Sequence, residues 1–305
     1  MNTENGNFSY ISDQEVKKHL NLPDLIDLME KALADFSSGR IAQPVRQLLP
    51  VPGTSGYFGA MQAAGSAMGV KIISAYPENA VHGLPTHAAM IVLFDAEYGQ
   101  PLALLDADHI TKMRTAAVSA VATRHLAKAG AKGLAILGSG EQARTHIEAL
   151  KCVMDIHPLL VWSRTPERAR KFAEEHNGTV TDAKTAVERA DVIVTCTAAS
   201  EPVLQGAWLR AGSHVNAVGW RGRDGRELDA AAMKNVLVVD SREAVRDHSG
   251  NVRQSDAEIY AELGEIVAGK KEADRSAVTI FDSVGLAVED IYAANMVYQS
   301  INDRP

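Results

Sequence analysis

The sequence predicts an α/β protein in which a doubly wound parallel sheet follows an α+β region. Three observations carry that prediction. From residue 132 onward, short apolar runs alternate with helix-compatible segments, the pattern of parallel strands joined by crossover helices. The first of these runs, Leu134 to Leu137, stops abruptly at Gly138-Ser139-Gly140-Glu141-Gln142-Ala143. It passes directly into a helical pattern with Ala143, Ile147 and Leu150 at i, i+4 and i+7. Between residues 47 and 106, by contrast, the pattern is of strands.

Gly-x-Gly-x-x-Ala between a strand and a helix is the turn of a dinucleotide-binding βαβ unit, the opening of a Rossmann-type domain. Gly138 makes the tight turn, Gly140 lets the backbone approach a pyrophosphate, and Ala143 permits close helix–strand packing. Free N–H groups at the helix start, with the positive end of its dipole, hold phosphates. Gly138, Ser139, Gly140, Glu141 and Gln142 are therefore the candidate phosphate-binding residues. A glycine pattern alone fits a plain loop equally well. The strand before it and the helix after it select the nucleotide reading.

Composition narrows the class without naming a reaction. The 305 residues suggest two domains or one large one, and 46% hydrophobic with 23% charged residues is ordinary for a globular enzyme. Cys152 and Cys196 cannot form a disulfide framework and lack metal-ligand spacing, which points to a reducing compartment and no bound metal. The polar N-terminus has no secretory pattern, and no run of about 18 apolar residues suggests a membrane span. A net charge of −7 argues against broad nucleic-acid binding. The expectation is a soluble, cytoplasmic enzyme with a small-molecule substrate.

Element by element, Ser12-x-x-Glu15 reads as a capping box opening a helix that ends near Leu20. Pro23 starts a second helix, with Leu25, Met29, Ala32, Leu33 and Phe36 on one face and Gly39 as its stop. Strands are expected at 47–51, 57–61, 70–76, 88–94 and 101–105, the last two joined as an antiparallel hairpin across Asp95–Gln100. An alanine-rich helix over 108–128 leads into the parallel region. There, strands at 134–137, 159–162, 191–195, 214–218, 236–239 and 278–281 alternate with helices near 141–152, 166–176, 183–189, 229–234, 241–247 and 255–268. An apolar helix over 285–301 closes the chain and is expected to cross back to the first domain.

The second parallel strand bears on the choice of nicotinamide cofactor. NAD-binding units place an acid there for the ribose 2′-hydroxyl. Here the strand ends Trp162-Ser163-Arg164-Thr165, with no acid in reach. Arg164 offers a permanently charged fork for a 2′-phosphate, and Ser163 and Thr165 add hydroxyls, so NADP(H) is expected in preference to NAD(H). Alternatively, Ser163 and Thr165 merely cap the next helix and Arg164 is solvated. Cys196, Thr197, Ala198, Val218, Gly219 and Ser283 follow strands at their carboxyl ends, where an open parallel sheet has its ligand crevice, and complete the candidate cofactor residues.

Several segments together resemble the ornithine cyclodeaminase/mu-crystallin family across nearly the whole chain. They are Gln43-Pro-Val-Arg46, Lys112-Met-Arg114-Thr115-Ala-Ala-Val-Ser119-Ala, the glycine turn, Arg226-Glu-Leu228-Asp, Ala257-Glu258-Ile-x-Ala-Glu262-Leu-Gly264-Glu265 and Ser283-Val-Gly-Leu-Ala-Val-Glu289-Asp290. Phe36-Ser-Ser-Gly39, Trp162-Ser-Arg-Thr165 and Ala217-Val-Gly219 lean towards its mu-crystallin-type ketimine reductases. The resemblance implies a homodimer. It also implies a discontinuous dimerisation and substrate domain (1–115 plus 285–305) and an inserted nucleotide domain (116–284), with the site between them. Arg46, Lys71 and Arg114 would surround the carboxylate and imine of an amino-acid-like substrate, with Lys71 and Arg114 catalytic, and Arg114 and Thr115 would approach the cofactor phosphates. By pattern alone, Arg46 and Lys71 read more readily as a solvated strand face. His87, at a strand start, reads as a structural histidine or a further substrate contact.

One departure matters. Cyclodeaminases and the related alanine dehydrogenases carry an Asp two residues after the glycine matching Gly219, whereas this chain reads Gly219-Trp220-Arg221. Arg stays protonated and cannot serve as a general base, although it can bind a second carboxylate or exclude an ammonium group. The expectation is NADPH-dependent reduction of a cyclic ketimine carboxylate of the piperideine- or pyrroline-2-carboxylate type. The alternatives are an alanine-type amino-acid dehydrogenase, an ornithine or lysine cyclodeaminase, and a non-catalytic NADPH-binding crystallin-like protein.

Overall fold

The structure, a computed structural model, describes residues 8–220, 222 and 224–302. The chain divides into two compact units, one running to Arg114 and resuming at Leu286, the other spanning Thr115–Gly285. The first contains β1 (Ser9–Ile11), α1 (Asp13–His19), α2 (Leu22–Ser37), β2 (Gln47–Pro50), β3 (Tyr57–Ala64), β4 (Met68–Ala75), β5 (His87–Phe94) and β6 (Pro101–Asp106). Helix α3 (Asp108–Leu126) carries the chain into the second unit. That unit holds β7 (Leu134–Leu137), α4 (Glu141–Lys151), β8 (Leu159–Trp162), α5 (Pro166–Glu175), β9 (Thr179–Val180), α6 (Ala183–Arg189), β10 (Val192–Thr195) and β11 (His214–Ala217). It continues through β12 (Val236–Val239), α7 (Arg242–His248), α8 (Gly250–Arg253), β13 (Ile259–Glu262), α9 (Leu263–Val267) and β14 (Thr279–Asp282). The last helix, α10 (Ala287–Asn302), belongs to the first unit.

In the first unit the strands run in the order β1-β6-β5-β4-β3-β2, antiparallel except that β1 lies parallel to β6. The expected hairpin is present: β5 and β6 pair antiparallel, and Asp95 Oδ1 accepts the N–H groups of Glu97 and Tyr98 in the connecting turn. Met61, Lys71, Ile91 and Leu105 stand in register across β3, β4, β5 and β6, and all four are buried. Helix α10 packs over this face against β3, β4 and β5, and also against α2, whose Leu25, Ile26, Met29 and Leu33 are buried. Gly69 permits the approach, because a Cβ there would lie 2.9 Å from Ile291 Cδ1 and 2.5 Å from the Val92 carbonyl oxygen. The opposite face carries Ala60, Ile72 and Met90 in register, and Phe58, Ile72 and Met90 on it are exposed.

The second unit is an all-parallel sheet in the order β13-β12-β14-β11-β10-β7-β8-β9. Strands β7, β10, β11 and β14 are buried along their whole length, as a parallel sheet covered on both faces requires. Alternate residues of β7 divide between two apolar clusters, Leu134 and Ile136 in one, Ala135 and Leu137 in the other. The strand order reverses between β7 and β10, which makes their carboxyl ends the crevice of the sheet.

Two expectations need correction. The segment 255–268, read as one helix, holds strand β13, whose Ile259 and Ala261 pair with Leu237 and Val238 of β12, and only then the short α9. Helix-favouring Ala and Glu yield there to an open sheet edge, a tertiary demand that local propensity does not register. The helix expected over 229–234 is a single 3-10 turn at Ala232–Lys234. Strand β1 lies outside the sequence reading, being three residues long and held only by pairing with Ala103–Leu105. No helix among the described residues is long and apolar enough to cross a membrane.

Candidate active-site residues

In the second unit the glycine turn has the geometry its sequence foretells. Gly138 adopts φ +137°, and a Cβ on it would sit 2.8 Å from Cys196 Sγ and 2.9 Å from the Cys196 carbonyl oxygen, so only glycine fits. Gly140 is the N-cap of α4 and provides no side-chain capping bond, leaving first-turn N–H groups directed outward. A Cβ on Gly140 would meet nothing within 4 Å, so open space lies where a ligand's backbone approach is required. The buried Gln142 Oε1 has no hydrogen-bond partner among the described residues. An uncapped helix start with open space over its glycine fits a dinucleotide pyrophosphate.

The neighbouring strand ends are tied to this turn. Ser139 Oγ donates to Ser163 Oγ at 3.0 Å, joining the glycine turn to the end of β8. Arg164 and Thr165 are exposed, and Thr165, although it is the N-cap of α5, makes no capping bond through its side chain. Cys196 packs against Gly138, and burial, followed by the Glu227 carboxylate, pushes its thiol up, so it is a packing residue and not a nucleophile.

Glu227 organises the ends of β10 and β11. Its Oε1 accepts the N–H and the hydroxyl of Thr197, both at 2.6 Å, and its Oε2 accepts the Thr195 hydroxyl at 2.7 Å and the Gly219 N–H at 2.8 Å. Gly219 must lack a side chain because a Cβ would lie 2.3 Å from Glu227 Cδ. Asp240 plays the corresponding part at β14, where its Oδ2 accepts the Ser283 hydroxyl and the N–H groups of Val284 and Gly285 at 2.7–2.9 Å. Asp282 is held by Ser249 Oγ and Asn251 Nδ2, and burial, with Asp240 and Glu227 adding to it, pushes its carboxyl up to about 7.

In the first unit, Lys71 is not solvated. It is 2% exposed in an otherwise apolar row, and its Nζ lies 2.6 Å from Asp290 Oδ2 and 3.5 Å from Thr111 Oγ1. Asp290 Oδ1 also accepts Arg114 Nε at 3.0 Å, and Glu289 Oε2 accepts Arg114 Nη1 at 2.6 Å. Burial draws the Lys71 ammonium down to about 8; Asp290 pulls it back up, while Arg114 and Arg46 push it further down. Arg114, gripped by two carboxylates, stays above its ordinary range despite burial. Arg46 is half-buried just before β2 and close enough to act on Lys71, so the reading of Arg46 and Lys71 as a solvated face gives way to a buried cluster of charges. His87 opens β5 with Nδ1 3.0 Å from Thr86 Oγ1, and desolvation and then Lys71 hold its imidazole below the usual range. Thr115 is half-buried on α3, and Arg221 lies outside the described residues.

Residues 9–304 match the ornithine cyclodeaminase/mu-crystallin family. The chain belongs to that family. Within it, the chain is 44% identical to the ketimine reductase mu-crystallin of Rattus norvegicus over 303 residues, covering 96% of this chain and 97% of the relative. Among solved structures it is similar to Thermococcus litoralis Delta(1)-pyrroline-2-carboxylate reductase in complex with NADH and L-proline. The TM-score is 0.91 at 37% identity, over 96% of this chain and 97% of that one. An archaeal alanine dehydrogenase dimer with bound NAD gives a TM-score of 0.92 at 30% identity, over 97% and 96%.

Sequence reasoning quoted Glu289, Asp290 and Glu227 only inside motifs and gave them no part in the site. The first two carried a usable signal: an adjacent acid pair inside an apolar helix is expensive to bury unless cations meet it. Glu227 carried none, since nothing local announces four donors converging on one carboxylate.

Proposed function

We propose that this protein reduces a cyclic ketimine carboxylate, of the piperideine-2-carboxylate or pyrroline-2-carboxylate type, to the cyclic imino acid at the expense of NAD(P)H. The observation that carries the reading is the buried Lys71–Asp290–Arg114 cluster, a cationic centre holding a lysine that titrates near physiological pH. Lys71 and Arg114 meet Asp290 and Glu289 here, with Arg46 close enough to act on Lys71, and this gathering of cations suits a substrate carboxylate. Arg114, with Nε and Nη1 held by carboxylates, keeps its fork in a fixed plane and orients the substrate at little entropic cost. Lys71, as an ammonium, donates its proton to the imine nitrogen and makes the adjoining carbon electrophilic. The nicotinamide, when bound, supplies the hydride to that carbon. The likeness to a ketimine reductase and to a pyrroline-2-carboxylate reductase supports the same chemistry.

In this reading the second unit holds the dinucleotide, with Gly138, Gly140 and the α4 start on the pyrophosphate and the segments at Thr197, Gly219 and Ser283 beyond it. NADPH is the preferred reductant, on the strength of the exposed Arg164 fork and the Ser163 and Thr165 hydroxyls at the end of β8. The first unit carries the substrate residues and joins a second copy through the exposed Phe58, Ile72 and Met90 face, a homodimer for which the dimeric alanine dehydrogenase is the precedent. Free thiols at Cys152 and Cys196 suit a reducing cytoplasm.

The test is cofactor oxidation with piperideine-2-carboxylate and with pyrroline-2-carboxylate, using NADPH and NADH in parallel. Pyruvate with ammonium, and ornithine with NAD⁺, are the companion assays. Rapid NADPH oxidation with either imine is the expected result. Turnover confined to pyruvate and ammonium would replace the reading with the alanine-dehydrogenase one, and proline from ornithine would replace it with a cyclodeaminase. Binding of NADPH with no turnover of any substrate would leave a binding protein.

A further inference from the structure

We propose that Asp290 is the positioning residue that makes Lys71 a proton donor, aiming its ammonium and keeping it charged in a site that would otherwise neutralise it. This rests on the ketimine-reductase reading.

The geometry is specific. Asp290 is fully buried on α10 among Ala287, Val288, Ile291 and Ala294, an environment that charges a heavy desolvation penalty for a carboxylate. Arg114 and Glu289 already make one ion pair, and a simple structural tie between α3 and α10 needs no more than that. Asp290 instead divides its two oxygens, Oδ1 to Arg114 Nε and Oδ2 to Lys71 Nζ, so it reaches across to β4. Thr111 adds a second acceptor for Lys71, because its own hydroxyl proton goes to the Ala107 carbonyl at 2.7 Å and a lone pair is left facing Nζ. Asp290 Oδ2 at 2.6 Å and Thr111 Oγ1 at 3.5 Å, on different elements, bracket the ammonium.

The groups facing Lys71 also determine its charge. From α10 come Asp290 and, paired with Arg114, Glu289; from α3 comes Arg114, from the segment before β2 Arg46, and from β5 His87. Burial and the two guanidinium groups all favour the neutral amine, and Asp290 is the group that opposes them. A lysine in a dedicated surface ion pair titrates above its ordinary value, as Lys17 does beside Asp13. Lys71 titrates at about 8, low enough to give up a proton and high enough to hold one at neutral pH. In the step itself the Lys71 Nζ–H bond breaks and an N–H bond forms at the imine nitrogen. The reduced nicotinamide provides the hydride that adds to the imine carbon, and Lys71 recovers its proton from water.

Asp290→Asn keeps the shape and removes the charge, so Lys71 loses its proton at lower pH. The experiment is the pH profile of kcat/KM for piperideine-2-carboxylate with the full-length wild type, D290N, D290E and E289Q; titration of the substrate itself is common to all four. In the wild type, rate is expected to fall as pH rises through about 8, where Lys71 loses its proton. In D290N that limb moves to lower pH by roughly one unit, a roughly tenfold loss above it, with the rate recovering as the pH is lowered. D290E restores the wild-type limb. E289Q, which removes the ion pair to Arg114, lowers kcat/KM while the limb stays in place. Should D290N fail to fold, the smaller D290S removes the same charge and carries the same expectation. A uniform loss at every pH with an unmoved limb would overturn the proposal while leaving the ketimine reading intact. Failure of the wild type to reduce any imine would overturn both.

Discussion

Glu227→Gln isolates the carboxylate that ties together the strand ends of the second unit, and its cost can be worked from the contacts. Each oxygen of Glu227 accepts one threonine hydroxyl and one backbone N–H: Thr197 supplies both on Oε1, and Thr195 with Gly219 supplies them on Oε2. A hydroxyl can turn round and accept from an amide NH₂ group; a backbone N–H cannot. Whichever way the glutamine amide is set, it points a donor at the N–H of Thr197 or of Gly219. One sheltered N–H therefore loses its acceptor, at ~1–3 kcal/mol, and the surviving bonds lose their charge assistance, at ~1 kcal/mol more. The neutral amide recovers part of this, because burial pushes the Glu227 carboxyl up in the wild type. The net expectation is a loss of ~2–4 kcal/mol.

Urea unfolding followed by tryptophan fluorescence is the appropriate assay, since Trp162, Trp208 and Trp220 all lie in the second unit. The unfolding midpoint should fall, and NADPH should bind more weakly because the Thr197 and Gly219 segments lose their common anchor. A variant within ~0.5 kcal/mol of the wild type, with unchanged cofactor affinity, would refute the argument that four donors require a carboxylate.

Other perturbations probe the rest of the molecule. Gly140→Ala puts a methyl group into open space and should leave stability within ~0.5 kcal/mol while weakening NADPH binding about tenfold or more, whereas Gly138→Ala, driven into Cys196, should cost several kcal/mol, of order 3. Equal effects of the two on unfolding, measured in urea, would contradict the division between folding and binding glycines. Arg164→Ser should lower kcat/KM for NADPH roughly tenfold and leave NADH unaffected; an equal loss with both cofactors would remove Arg164 from 2′-phosphate recognition. Asp282 supplies a stability test with a definite sign. Its folded-state carboxyl, at about 7, lies above the ordinary 3.8, so the native state holds a proton that the unfolded chain has lost between those values. Stability should therefore fall as pH rises through that window, by roughly 4 kcal/mol. Asp282→Asn, which keeps an acceptor for Asn251 and a donor for Ser249, should make the fall shallower, and an unchanged pH dependence of the urea midpoint would refute the assignment.

The parts of this protein that were legible in the chain are those whose physics is local. The turn at Gly138 and Gly140, the amphipathic face of α2 and the hairpin across Asp95–Gln100 each complete their argument within some 20 residues, through backbone freedom, side-chain period and turn chemistry. Family resemblance added Arg46, Lys71 and Arg114. What neither supplied was the partner of each cation. Arg114 meets Asp290 across 176 residues of sequence, and Glu227 reaches Thr197 across 30, so no local period or spacing records either contact.

The same distinction explains the errors. The segment 255–268 is rich in Ala and Glu, yet Ile259–Glu262 within it is a strand because β12 offers an unpaired edge; Lys71 follows the alternation of a half-exposed sheet, and it is buried because α10 closes over that face. Sequence alone determined which backbone conformations were available and which side chains could bind a nucleotide or a carboxylate, since glycine torsions and functional groups belong to single residues. Only the tertiary structure decided which charges share a low-dielectric environment, and with that the protonation of Lys71, because a desolvation energy and a Coulomb partner depend on everything that surrounds a group.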